Sequence, residues 1–82
     1  MNMFTIGIIG MGTIGSGVYR QLKRKAGLLR ERTGISFQVK SVCDVRSRAL
    51  RDAGVLRNEI IQNYTEILSD PEIDCIIELI GG

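Results

Sequence analysis

The chain has 82 residues, 44% hydrophobic and 24% charged, with a formal net charge of +2. That is room for one small domain, which buries roughly 60% of its unfolded surface; the mixed charges argue against disorder, and the slight positive excess is too small to point to nucleic acid. No run approaches the ~20 apolar residues of a membrane helix and the N-terminus has no signal-peptide pattern, so a cytoplasmic protein without membrane contact is expected.

The first element predicted is a strand over Phe4 to Ile9, nearly continuous in apolar character, as befits a central parallel strand covered on both faces. It breaks into Gly10-Met11-Gly12-Thr13-Ile14-Gly15, a G-x-G-x-x-G turn followed by an amphipathic helix pattern. Such turns occur by chance, but a strand before and a helix after are the context a nucleotide pyrophosphate requires. Gly10 allows the tight turn, Gly12 lets backbone approach phosphate, and Gly15 lets helix pack on strand. The helix predicted from Thr13 to about Arg32 aims its unpaired N–H groups and dipole at the anion. Ile14, Val18, Leu22, Ala26 and Leu29 form its predicted apolar stripe. Arg20, Gln21, Lys23, Arg24 and Lys25 read as a solvated face, since no aromatic residues interleave to stack bases. Gly34 is the expected left-handed stop.

A second strand is predicted over Phe37 to Val42, running on to Asp44. Ser47 to Gly54 has a short helical pattern, Ile60 to Tyr64 reads as a brief third strand, and Thr65 is the expected cap of a short helix containing Ile67 and Leu68. Asp70-Pro71 breaks that helix, and Cys75 to Ile80 is a strong buried-strand signal ending in Gly81-Gly82. Cys43 and Cys75 lie in apolar runs and read as buried thiols in a reducing compartment. Tyr19 and Tyr64 carry no site signal and are expected to pack. The chain has no histidine, which removes imidazole metal sites and Ser-His or Cys-His nucleophiles from these residues. No metal site and no catalytic residue is expected.

The alternation predicts an α/β fold with right-handed crossovers and a parallel sheet, the first half of a doubly wound, Rossmann-type dinucleotide-binding domain. Ligands then bind outside the carboxyl ends of the strands. The glycine turn, Asp44 and Gly81-Gly82 all fall at that edge. Asp44 stands where a carboxylate accepts from the adenosine ribose hydroxyls, although it follows the turn by about thirty residues against the usual ~20. An Asp there repels a 2′-phosphate and tilts the cofactor toward NAD. Arg46 and Arg48 follow at once, either placed to pair with that phosphate, so NADP stays open. Glu78 interrupts an apolar strand and reads as a strand-end carboxylate fixed by donors, with a catalytic base as the second reading.

Two blocks carry a family resemblance. Ile8-Ile9-Gly10-Met11-Gly12-Thr13-Ile14-Gly15-Ser16-Gly17-Val18 resembles the G-x-G-T-V-G-S-G-V opening of homoserine dehydrogenase. Asp70-Pro71-Glu72-Ile73-Asp74-Cys75-Ile76-Ile77-Glu78-Leu79-Ile80-Gly81-Gly82 is similar to its more specific D-P-x-I-D-x-V-V-E-L-I-G-G segment. The resemblance implies an NAD(P)-dependent oxidoreductase of threonine and methionine biosynthesis that interconverts L-aspartate 4-semialdehyde and L-homoserine, and a homo-oligomeric parent. It implies that residues 1–82 are the N-terminal portion of the cofactor domain, with catalytic, substrate-binding and dimerisation regions beyond Gly82. Gly10, Met11, Gly12, Thr13 and Ile14 would line the pyrophosphate, and Ile80 and Gly81 would lie beside the cofactor. Many relatives carry arginine where this chain has Asp44. The opening alone also fits an aspartate dehydrogenase, a sugar oxidoreductase or a non-catalytic nucleotide-binding module.

Overall fold

The structure is a computed structural model that describes residues 2–79. Three parallel strands, β1 (Asn2–Ile9), β2 (Ile35–Cys43) and β3 (Cys75–Glu78), lie in the order β2-β1-β3. The central place of β1 explains its apolar run: Ile6, Ile8 and Ile9 are all buried, on both faces of the sheet. Helix α1 (Thr13–Thr33) and the short α2 (Ser47–Asp52) cover one face, where Ile6, Ile8, Met11, Tyr19, Val42 and Leu50 form the larger core. Helix α3 (Tyr64–Leu68) closes the other, with Ile67 packed on Ile9 and Cys43. The last described residue of the predicted final strand, Leu79, lies just past β3, and Ile80, Gly81 and Gly82 lie outside the described residues.

Helix α1 ends as the sequence predicts. Gly34 takes φ 74° and its N–H donates to the Arg30 carbonyl at 2.9 Å, closing the last turn. The helix is rotated from the predicted stripe, however. Gly15 and Tyr19 face the sheet and are buried, whereas Ile14 is 60% exposed. Close approach of Gly15 to the turn below it dictates this rotation, and the inward row runs Gly15, Tyr19, Leu22, Ala26 at helical spacing.

Two further expectations are corrected. Ile60 to Tyr64 is not a strand: Ile60 makes one parallel bridge to Val42, and the Ile61 N–H donates to the Val42 carbonyl at 2.9 Å. A 3-10 turn at Arg57–Glu59 precedes this segment and α3 begins at Tyr64, so too few residues remain between them for a ladder. The cap of α3 is Asn63, whose Oδ1 accepts from the Thr65 N–H at 3.0 Å and the Thr65 hydroxyl at 2.8 Å; Thr65 is inside the helix. The Ile60 bridge still marks the outer flank of β2. The chain therefore moves outward from β1 through β2 and then crosses back to β3, which places a switch point at the carboxyl ends of β1 and β3.

Polar contacts fix the register of the sheet. The Thr5 N–H donates to Asp74 Oδ2 and the Asp74 N–H to the Thr5 carbonyl, both at 2.8 Å, which locks β3 onto β1. Lys40 sits where the β1–β2 register slips between Ile6 and Gly7, and its ammonium reaches Asp70 at 2.5 Å and Glu72 at 2.9 Å. On the helical face the buried Glu59 accepts from the Tyr19 hydroxyl at 2.5 Å and pairs with Lys23. Burial and this carboxylate push the Tyr19 phenol above its ordinary value. Tyr19→Phe removes the bond to Glu59 and the acceptor for the Leu56 N–H, and is expected to cost about 1–3 kcal/mol in urea denaturation at unchanged m value.

Candidate functional site

The turn after β1 is built to keep a helix end open. Gly10 has φ 102°, a conformation L side chains rarely adopt, and its N–H donates to the Cys43 carbonyl at 2.8 Å, tying the turn to the end of β2. A Cβ at Gly15 would stand 2.3 Å from the Gly10 carbonyl oxygen, so only glycine lets α1 descend this close to the turn. A Cβ at Gly12 would meet nothing nearer than Arg46 Nη2, at 3.5 Å, so this side of the turn is open to an approaching group. Among the described residues no side chain caps α1 and no acidic residue lies in its first turn. Its first N–H groups therefore have neither a helical acceptor nor a capping oxygen. These donors and the helix dipole favour an anion over Gly12, Thr13 and Ile14.

Asp44 directly follows β2 and is brought to the turn. Its Oδ2 accepts from the Met11 N–H at 2.6 Å and from Arg46 Nη2 at 3.0 Å; its Oδ1 accepts from the Arg46 N–H at 2.8 Å and Arg46 Nε at 3.1 Å. The Arg46 guanidinium, against the cost of burial, holds this carboxylate down to about 2. Asp44 is thus a strut of the turn as well as an acidic group in the site, a role its spacing in the sequence does not disclose.

These groups border a cleft of about 410 Å³, formed by Ile9, Gly10, Gly12 and Thr13 on one side and Cys43, Asp44, Val45 and Arg46 on the other, with Tyr64 and Leu79 at its rim. Five of the predicted positions, Gly10, Gly12, Thr13, Asp44 and Arg46, meet in its lining. Met11 turns its side chain into the core while its N–H serves Asp44, and Ile14 and Gly15, in the first turn of α1, are not in the cleft lining. Arg48 is not in the cleft lining; its side chain is 86% exposed and lies 4.0 Å from Asp52. Tyr64 is the residue the sequence reading missed: it does not pack inside but is half exposed at the cleft. An aromatic residue opening a helix at the outer end of the β2 side is the signal that marks it. Burial and the Asp44 carboxylate push the Cys43 thiol upward, so it lines the cleft as a neutral group. A second hollow of about 470 Å³ lies between α1, β2 and the 3-10 turn, away from the strand ends, and its buried Glu59 is already satisfied. Among the described residues no group of acidic, cysteine or histidine side chains is placed to hold a metal, and no helix is long and apolar enough to cross a membrane.

A parallel sheet covered on both faces, with an open glycine turn at the switch point, defines the first half of a Rossmann-type nucleotide-binding domain. Comparison with known proteins narrows the class. The profile of the homoserine dehydrogenase NAD-binding domain matches residues 10–82, and the chain belongs to that family. Homoserine dehydrogenases of Pseudomonas aeruginosa and Methylobacillus glycogenes are 33% and 32% identical to it over its whole length, which is 18% and 20% of theirs. The chain thus spans about a fifth of the length of the curated relatives it matches. The crystal structure of the Thiobacillus denitrificans homoserine dehydrogenase superposes with a TM-score of 0.85 at 29% identity, covering all of this chain and 19% of that one. The Staphylococcus aureus enzyme at pH 7.5 gives 0.87 at 24% identity, a likeness of fold, over all of this chain and 20% of that one. Membership in this family sets aside the aspartate dehydrogenase and sugar oxidoreductase readings that the opening alone allowed.

Proposed function

We propose that this chain holds the adenosine and pyrophosphate half of a nicotinamide dinucleotide, as the N-terminal portion of the cofactor domain of a cytoplasmic, homo-oligomeric homoserine dehydrogenase. The observation that carries the reading is the uncapped start of α1 beneath the open side of Gly12, beside a carboxylate at the end of β2. The donor set suits the group: main-chain N–H groups for the diphosphate and an acceptor pair for the ribose diol. When bound, the nicotinamide supplies the hydride that interconverts L-aspartate 4-semialdehyde and L-homoserine. The residues of this chain bind and orient. Gly10, Met11, Gly12, Thr13, Ile14 and Gly15 shape the pyrophosphate seat, and Asp44 and Arg46 face the adenosine ribose. Asp44 favours NAD over NADP, because a 2′-phosphate would stand against its negative charge. Ile80 and Gly81, which lie outside the described residues, belong beside the cofactor in this reading, on the resemblance of the Glu78 to Gly82 ending alone.

Calorimetric titration with NADH and NADPH tests the reading. The chain is expected to bind both, and Gly12→Val to weaken both by at least about tenfold while the thermal melt stays in place. A valine Cβ there would meet Arg46 Nη2 at 3.5 Å, an ordinary van der Waals contact, so the fold is spared and the approach to the backbone is lost. Unchanged binding by Gly12→Val would refute the assignment.

A further inference from the structure

We infer that the basic outer face of α1 steers the anionic dinucleotide to the glycine turn, with Arg20 and Arg24 as its leading charges. The inference rests on the cofactor reading above and goes beyond it, from what holds the ligand to what brings it in. Helix α1 carries Arg20, Lys23, Arg24, Lys25, Arg30 and Arg32 against one acid, Glu31. Lys23 is paired with Glu59, but among the described residues the other five cations are exposed and have no ion-pair partner. Beside the cleft the charges cancel in pairs, Asp44 with Arg46 and Arg48 with Asp52. Positive potential at the cleft mouth therefore comes from α1, added to the positive end of its own dipole. Glu66 of α3 sets a negative charge on the Cys43 side, so the potential rises across the cleft toward α1.

Placement makes Arg20 and Arg24 the charges that count. They follow Thr13 by seven and eleven residues, so at 3.6 residues per turn all three share one strip, within about 20°. Thr13 lines the cleft, and at 1.5 Å per residue the two arginines stand about 10 and 16 Å down the strip from it. Gly17 lies between, where a Cβ would meet nothing within 4 Å, so no neighbouring group overhangs the path. The screening length is about 10 Å at 0.1 M salt and about 30 Å at 0.01 M. Arg20 and Arg24 thus reach the pyrophosphate seat, whereas Arg30 and Arg32, about 26 and 28 Å away along the axis, barely do. A face that served solubility alone would need the charges but not this order.

The test is stopped-flow mixing of the chain with NADH and with NADPH, followed by nicotinamide fluorescence, at ionic strengths of about 0.01, 0.1 and 1 M. Arg20→Gln/Arg24→Gln is compared with Arg30→Gln/Arg32→Gln, a variant of equal net charge. Glutamine matches arginine in helix propensity, so both are expected to fold as the parent does. The first variant is expected to associate about threefold to tenfold more slowly at 0.01 M, less so at 0.1 M, and at the parent's rate at 1 M. The second should slow by less than about twofold throughout. NADPH, the more highly charged ligand, should lose more than NADH. Dissociation rates should stay within about twofold of the parent's, because neither arginine lines the cleft. Equal slowing by the two variants, a loss carried by dissociation, or a parent association rate indifferent to salt overturns the inference and leaves the cofactor reading standing. A parent chain that binds neither dinucleotide overturns both.

Discussion

Gly15→Ala is expected to destabilise the domain by about 3 kcal/mol or more and to abolish dinucleotide binding. Two effects compete at this position. Alanine in a helix is intrinsically favoured over glycine by about 1 kcal/mol. Against that, its Cβ would stand 2.3 Å from the Gly10 carbonyl oxygen and 3.1 Å from the carbonyl carbon. Both are main-chain atoms of a turn held by the Gly10 to Cys43 hydrogen bond, so no flexible side-chain end can give way. Relief requires lifting α1 off β1, which opens the core around Tyr19 and Ile8. The clash therefore outweighs the propensity gain. Urea denaturation followed by far-ultraviolet circular dichroism measures the loss, and a midpoint equal to the parent's would overturn it. Gly17 is the internal control. It lies on the same helix, a Cβ there meets nothing within 4 Å, and Gly17→Ala should raise stability slightly.

The contrast shows what a linear sequence can disclose. The G-x-G-x-x-G spacing, the apolar β1 run and the left-handed stop at Gly34 are local signals, and local backbone geometry obeys them. The rotation of α1 is not local. Counting apolar residues every four positions puts Ile14 in the stripe, but contact of Gly15 with Gly10 turns Tyr19 inward and leaves Ile14 outside. The buried Glu59, joined to Tyr19 and Lys23 forty and thirty-six residues away, is likewise invisible to periodicity. Asp74 reads as part of a family pattern, yet its place comes from a reciprocal exchange with the Thr5 backbone across the sheet. In the site, Asp44 and Arg46 are legible because strand ends collect ligands in this fold. That each is bonded to the other, and Asp44 to the Met11 N–H, depends on side-chain directions that no spacing encodes.

Asp44 carries the second large effect, and it is readable from acid stability. Its carboxyl is held down to about 2 in the fold, against about 3.9 in an unfolded chain. The unfolded state therefore binds the proton more readily between these values. Stability from this group is fully present above about pH 4 and is lost as pH falls through about 2, a change of about 2 kcal/mol. The Asp44 side chain is buried but its partner Arg46 is 61% exposed, so solvent screens the pair in part and about 2 kcal/mol is the upper end of the effect. Asp44→Asn keeps one oxygen for the Met11 N–H but loses the charge and leaves Arg46 facing an amide. The variant is expected to be up to about 2 kcal/mol less stable than the parent at pH 7 and to converge on it as pH approaches 2. Urea unfolding at a series of pH values gives the difference directly. A gap of constant size from pH 7 to pH 2 would mean that the Asp44 carboxylate contributes shape to the turn and no charge.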